Sequence, residues 1–378
     1  MSKKTSTKNA AISDESRAEA LETFLGQINK EKPNAVLRLN DSTKVVIEVV
    51  PTGAISLDVA IGAGGFPRGK IIELYGPEGA GKTTVALTVA ANVQKAGGTI
   101  GFIDAEHGLN RQLCDSIGID PSRFVIFQPD SGEDAIEMVE KMIRSKAFDM
   151  VIVDSIAAMT PKAEIDSEVE QQFMGLHARL MSRFMRRVAA ITNENDVMLV
   201  LLNQVRKNLG AYGTPDETTG GKAIKFYSSL RIEVRTSGSK KIMKGNETVG
   251  HTIAATVKKN RLGPPHTSAE FDIIYGKGVD GSGAIIDVAE KVGVLSRAGA
   301  YYTDVSTGEK ISEEDEFGKV KAVVGKEAVK DLFRRNTSLR DRIVESVYKV
   351  LEGNVLEEKE TSENFSASDS ENTNIAVD

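Results

Sequence analysis

Apolar and polar positions alternate at two different periods along this chain. Lys70–Tyr75 (KIIELY), Thr99–Asp104 (TIGFID), Met150–Asp154 (MVIVD) and Val197–Asn203 (VMLVLLN) are short, nearly unbroken apolar runs. Runs of that length read as strands buried on both faces. Between them, Thr83–Lys95, Asp134–Ser145 and Gly175–Asn193 carry helical spacing. This alternation predicts an α/β fold, a mostly parallel twisted sheet with helices on both faces. Ser229–Thr236, Thr252–Lys258 and Glu270–Tyr275 alternate Val, Ile and polar residues with no helix between them. They predict an antiparallel extension of the same sheet. Beyond about Asp280, Ala284–Val292, Lys326–Phe333 and Ser338–Leu351 read as helices of a small α/β domain. Upstream, Ser16–Lys32 places Leu21, Phe24, Leu25 and Ile28 on one helical face and stops at Pro33. That face suits either its own core or a neighbouring subunit.

Composition narrows the class. A chain of 378 residues, 40% of them apolar, has room for two or three domains and a large core. With Cys114 as its single cysteine, it forms no internal disulfide. No apolar run approaches the roughly 20 residues of a membrane helix. The start, MSKKTSTKNAAISDES, lacks the apolar stretch of a signal peptide. A cytoplasmic protein without a membrane partner is the expectation. The net charge of −6 equals that of residues 354–378 alone, where seven carboxylates face one lysine. The rest of the chain is balanced, and the acidic tail reads as disordered.

The strongest chemical signal is Gly76-Pro77-Glu78-Gly79-Ala80-Gly81-Lys82-Thr83-Thr84. It matches G-x-x-x-x-G-K-[ST] directly after an apolar strand and directly before a helix, as a phosphate-binding loop requires. Glycines let the backbone curl so that several N–H groups aim at one phosphate, and the helix N-terminus adds positive potential. In this pattern Lys82 reaches the β- and γ-phosphates of ATP and the Thr83 hydroxyl ligates Mg²⁺. Asp154, closing the MVIVD run, fits the Mg²⁺ shell as a second metal-site residue. Glu106, in Asp104-Ala105-Glu106-His107, is placed at the same carboxyl edge and is the candidate to activate water. His107 is read as its neighbour, not a catalyst. Gln204 closes the next strand, either as a γ-phosphate sensor or as a plain strand-end amide.

These residues, together with VIVDSIAAMTPKAEI (151–165), MGLHARLMS (174–182), LLNQVR (201–206), TTGGKAIKFYSSLRIEVR (218–235) and KKNRLGPP (258–265), resemble the RecA family of bacterial DNA recombinases. The resemblance runs from about residue 20 to 350. It implies a RecA-type P-loop NTPase core and a chain that polymerises with ATP into a helical filament on single-stranded DNA. Such a filament pairs with homologous duplex DNA, exchanges strands, hydrolyses ATP between adjacent subunits and stimulates self-cleavage of the SOS repressor. The implied domains are an N-terminal polymerisation helix and linker (1–43), an ATPase and DNA-binding core (44–279), a C-terminal duplex-binding domain (280–353) and the acidic tail (354–378). The tail is either a solubilising end or a polyanion that competes with DNA for a basic surface.

The resemblance also assigns residues. A first DNA loop, Glu164–Gln172, leads to Met174, Gly175, Arg179, Ser182 and Arg186, the last three on one helical face. By itself a basic helix face is ordinary solvated surface; family position implies DNA contact. A second loop, from about Val205 to Lys225, implies contacts at Arg206, Leu209, Thr219, Gly220, Gly221 and Lys222. It is one residue shorter than the family pattern. Lys259 and Arg261 match the cations that the family offers in trans to the neighbour's γ-phosphate, with Arg where Lys is usual. Asn110 meets the adenine, while Leu113 stands where the family stacks an aromatic. Arg297, Lys330, Arg334, Arg335, Arg340 and Arg342 are either a duplex-capturing surface or solvated helix charges. A hexameric helicase of the same core, or a scaffold that binds ATP without turnover, are the alternative readings.

Overall fold

The computed structural model describes residues 14–31, 36, 47–167, 175–206, 217–314 and 319–350. They fall into two units, residues 1–48 and 49–378. In the first, α1 (Asp14–Glu31) forms where the helical spacing predicts it, with Leu21 and Phe24 exposed. Asn29 Nδ2 donates to the Val36 carbonyl at 3.1 Å.

The second unit begins with β1 (Val49–Val50), α2 (Ile55–Ile61) and β2 (Phe66–Pro67). Next come β3 (Ile71–Gly76), α3 (Lys82–Lys95), β4 (Ile100–Asp104), α4 (Arg111–Ile117), β5 (Phe124–Phe127), α5 (Gly132–Ser145) and β6 (Met150–Asp154). Then follow α6 (Lys162–Ile165), α7 (Leu176–Glu194), β7 (Met198–Arg206), β8 (Glu217–Thr218) and α8 (Lys222–Tyr227). The long strands β9 (Leu230–Lys244) and β10 (Glu247–Asn260), with β11 (Ser268–Ile274) and β12 (Gly278–Asp280), complete it. The main sheet has the order β12–β11–β10–β9–β3–β7–β6–β4–β5. From β9 to β5 the pairs are parallel; from β9 to β12 they are antiparallel, as the two patterns predict.

Strand residues alternate between two cores. Ile72, Leu74, Ile152 and Val200 pack with α3 on one face. Ile71, Val151, Val153 and Leu199 pack with α5 and α7 on the other. Each such fully buried side chain stabilises the fold by about 1.5–3 kcal/mol. With both faces covered, the sheet leaves its carboxyl edge as the open place for chemistry.

Beyond β12 lie α9 (Ser282–Lys291), the short strands β13 (Leu295–Ala298), β14 (Tyr301–Asp304), β15 (Glu309–Lys310), β16 (Ser312–Glu314) and β17 (Val320–Ala322), then α10 (Lys326–Arg335) and a helix over 337–350. Their apolar residues form a third core that takes in Ile55 of α2. Among the described residues no helix is long and apolar enough to cross a membrane.

The pattern reading missed the shortest elements, α2, α4 and β5 among them. α2 and α4 span two turns each, and β5 has four residues of which Val125 and Ile126 face solvent. The second loop is also shorter than Val205–Lys225. β7 continues to Arg206, β8 pairs back on Val205 and Arg206, and Lys222 opens α8. Residues 207–216 lie outside the described residues, as do 168–174 of the first loop and the acidic tail.

Candidate functional site

The loop from Gly76 to Thr84 joins β3 to α3. Gly81 takes the N-cap of α3 with φ +85°, a left-handed backbone that favours glycine, and no side chain caps the helix. Among the described residues the N-cap of α3 makes no side-chain hydrogen bond to the first N–H groups, which face the loop. Gly76 is required for another reason: a Cβ there would lie 1.9 Å from the Val234 carbonyl oxygen. Lys82 is buried, and its Nζ donates to the Gly76 and Pro77 carbonyl oxygens at 3.1 and 2.7 Å. Burial pulls its pKa down, against the pull of Asp154, Glu106 and Glu78. Thr83 Oγ1 donates to Asp154 Oδ2 at 2.7 Å. Burial raises the Asp154 pKa to about 6, opposed by the Thr83 bond and reinforced by the Glu106 charge.

This donor set fits Mg²⁺ and a nucleoside triphosphate. A hydroxyl and a carboxylate in contact offer hard oxygens, and the uncapped helix N-terminus with a lysine beside it suits phosphate.

Glu106 and Gln204 come from different strands, β4 and β7, and meet. Gln204 Nε2 donates to Glu106 Oε1 at 2.8 Å. The same oxygen accepts a hydrogen bond from the Ser155 hydroxyl. The loop bearing Glu106 is sewn to β6 by Ala105 N and Glu106 N, which donate to the Asp154 carbonyl at 2.8 and 3.3 Å. Asp104 holds the far side of that loop: it accepts from Gly108 N at 3.0 Å, Leu109 N at 3.4 Å and Gln128 Nε2 at 3.2 Å. Motif reading passed over Ser155, Asp104 and Gln128. Their only sequence signal is position, each at or next to the carboxyl end of a strand.

A buried polar chain lies under this edge. Glu73, fully buried, pairs with Arg231, which stacks 4.7 Å from the Tyr75 ring centroid. Glu73 also accepts from Asn203 Nδ2 at 2.9 Å. Asn203 Nδ2 donates to the Thr219 carbonyl, and its Oδ1 accepts from Gln204 N, both at 2.9 Å. Asn203 thus ties the end of the second loop to the strand end that carries Gln204.

The end of the second segment expected to meet DNA packs on α7, which carries the residues expected to follow the first. A Cβ at Gly220 would lie 2.8 Å from Ile224 Cδ1 and 3.0 Å from Met181 Cγ, and one at Gly221 would lie 3.2 Å from Ala178 Cβ. Gly175 caps α7, and Arg179 and Arg186 are exposed on it. Ser182 instead donates to the Ala178 carbonyl of its own helix at 2.8 Å. Met174 and Leu209 lie outside the described residues, as does the side chain of Arg206.

Lys259 and Arg261 are not brought to the phosphate loop of their own chain. Lys259 pairs in register with Arg231, and Asn260 with Leu230, beside the amino-terminal half of β3. Lys259 Nζ donates to the Lys225 and Phe226 carbonyls at 2.8 and 2.9 Å, and Arg261 to Phe226 at 3.3 Å. Asn110 caps α4, its Oδ1 accepting from Leu113 N at 3.1 Å, and Leu113 packs on the main core. Most of the C-terminal cations are spent on carboxylates. Lys330 pairs with Asp272 at 2.8 Å, Arg334 with Asp331 at 2.7 Å, Arg335 with Glu313 at 2.9 Å, Arg340 with Asp341 at 2.8 Å and Arg342 with Asp304 at 3.1 Å. Arg297 stacks over Tyr302.

A family model described as the RecA N-terminal domain matches residues 19–280. The chain is 42% identical over 337 residues to "Protein RecA" of Nocardioides sp., covering 89% of this chain and 92% of that protein. It is 43% identical over 337 residues to "Protein RecA" of Saccharopolyspora erythraea, covering 89% and 93%. To "Protein RecA" of Acinetobacter baumannii it is 41% identical over 340 residues, covering 89% and 93%. The "Crystal structure of the RadB recombinase" aligns at TM-score 0.48 and 24% identity, over 61% of this chain and 98% of that one. With a matched nucleotide-binding core and this identity over nine-tenths of its length, the chain belongs to the RecA family.

Proposed function

We propose that this chain is an ATP-dependent homologous recombinase of the cytoplasm. It assembles as a helical filament on single-stranded DNA, pairs that strand with homologous duplex DNA and exchanges strands. Hydrolysis of ATP is stimulated by the DNA, and the filament promotes self-cleavage of an SOS repressor. The observation that carries the reading is the Gln204–Glu106 bond, at 2.8 Å, between the start of the second DNA loop and the candidate base.

Thr83 and Asp154 would hold Mg²⁺, which when bound supplies positive charge against the phosphates. Lys82 and the α3 N–H groups bind the phosphates. Glu106 takes a proton from the attacking water. Ordering of the second loop on DNA moves Gln204 and Asn203 together, because Asn203 holds both the Gln204 backbone and Thr219. Lys259 and Arg261, beside the amino-terminal half of β3 and away from the phosphate loop, act on a neighbour's site and not on their own.

The test is ATP turnover with Mg²⁺, with and without single-stranded DNA, for wild type and Lys82→Ala. DNA-stimulated turnover that the variant loses is expected. High turnover without DNA would point to a motor such as a helicase, and DNA binding without turnover to a scaffold.

A further inference from the structure

Glu106 is exposed and sits on a loop, yet a general base must hold one orientation. Its backbone is fixed by the Asp154 carbonyl. Among the described residues its carboxylate is held at one oxygen, Oε1, by two donors at the ends of different strands. Those donors differ in kind. Gln204 is the last-but-two residue of β7, leading into the second DNA loop. Ser155 follows β6, is buried, and has the Glu106 carboxylate as its hydroxyl's acceptor. The two residues after Val153 therefore divide their work: Asp154 faces Thr83 on the metal side and Ser155 faces Glu106 on the water side.

We infer that Ser155 is the positioning residue that keeps the Glu106 carboxylate aimed for water activation whatever the position of Gln204. Ser155 occupies Oε1 and leaves Oε2 to receive the water proton. Because Ser155 is buried at the end of β6, the fold holds its hydroxyl in place, whereas the bond of Gln204 depends on the state of the loop. This inference rests on the proposed ATPase function, and it adds a residue that neither the phosphate loop nor the DNA loops contain.

The experiment measures ATP hydrolysis against ATP concentration, at saturating single-stranded DNA and Mg²⁺, for wild type, Ser155→Ala, Ser155→Thr and Ser155→Cys. A hydrogen bond to an ionised group, lost from a group that acts in the transition state, predicts a fall in kcat of about tenfold for Ser155→Ala. KM for ATP stays within about twofold, because phosphate binding is untouched. Ser155→Thr retains the hydroxyl and restores most of kcat. Ser155→Cys fills the same space with a weak donor and behaves like Ser155→Ala; it reads the hydrogen bond even where Ser155→Ala does not fold. Wild-type kcat in Ser155→Ala or Ser155→Cys overturns the inference. So does a slow Ser155→Thr with KM raised in step, which marks a packing role. Absence of DNA-stimulated turnover in the wild type overturns the proposed function itself, and is seen before any variant is compared.

Discussion

Glu106 carries a different kind of information from Lys82. Lys82 was legible because its motif is local: nine consecutive residues define the loop, and the strand and helix on either side define its context. Glu106 and Gln204 were legible as strand ends, but their contact joins residues 98 apart in sequence. Ser155 was not singled out, since a serine after an aspartate has no pattern of its own; only the fold puts it against Glu106. Asn110 and Leu113 show the reverse. The family pattern places Asn110 at the base and sets Leu113 where an aromatic is usual; the fold adds that Asn110 caps α4 and Leu113 packs on the core. At this scale the sharpest expectation is Glu106→Gln. The amide keeps the size and the Ser155 contact but cannot take a proton. Turnover should fall by about 10²–10⁴-fold, while ATP-dependent binding to single-stranded DNA, read by fluorescence anisotropy, is retained.

The elements were predicted where periodicity is long and missed where it is short. α3, α5 and α7 span at least 14 residues and show their faces clearly. α2, α4 and β5 are too brief to establish a period. The resemblance gives the second segment expected to meet DNA as one loop that includes Gly220 and Gly221. In the fold they are packing glycines, pressed on Met181 and Ala178, so its end is a fixed seam and not a tether. Glycine at position 76 is just as constrained. In Gly76→Ala the added methyl meets the Val234 backbone, which cannot swing aside as a side chain can. A loss of about 3 kcal/mol or more is expected. A urea midpoint unchanged from wild type would contradict that close approach between β3 and β9.

Across the whole molecule, two features set behaviour that no single element explains. The first is the clasp between α2 and the final helix. Tyr348 OH donates to Asp58 Oδ2 at 2.6 Å, and Thr52 N donates to Oδ1 at 2.9 Å. Burial lifts the Asp58 pKa to about 7, from an ordinary 3.8, and these hydrogen bonds only partly oppose it. A folded-state pKa above the unfolded one means the folded protein binds the extra proton. The contribution is full at acid pH, below about 4, and is lost as pH rises to about 7. Asp58→Asn should therefore flatten the dependence of Tm on pH between 4 and 7. An unchanged slope would show that Asp58 titrates normally.

The second feature is the separation of the phosphate loop, which follows the carboxyl end of β3, from the Lys259–Arg261 pair, which lies beside the amino-terminal half of β3. Neither Lys82→Ala nor Lys259→Ala should hydrolyse ATP on DNA alone. An equal mixture should recover about a quarter of wild-type turnover, because some interfaces then join an intact phosphate loop to intact cations. A mixture as inactive as its parts would place both groups in one site of one chain.

Those two surfaces are not alike, and this gives any chain of subunits a direction. A row joined loop to cation ends at one side in an unmatched nucleotide loop and at the other in unmatched positive charge. On the proposed assembly its two tips would be chemically distinct and would add and shed subunits at different rates. Growth along DNA would then run one way by default, without a separate factor to choose the heading.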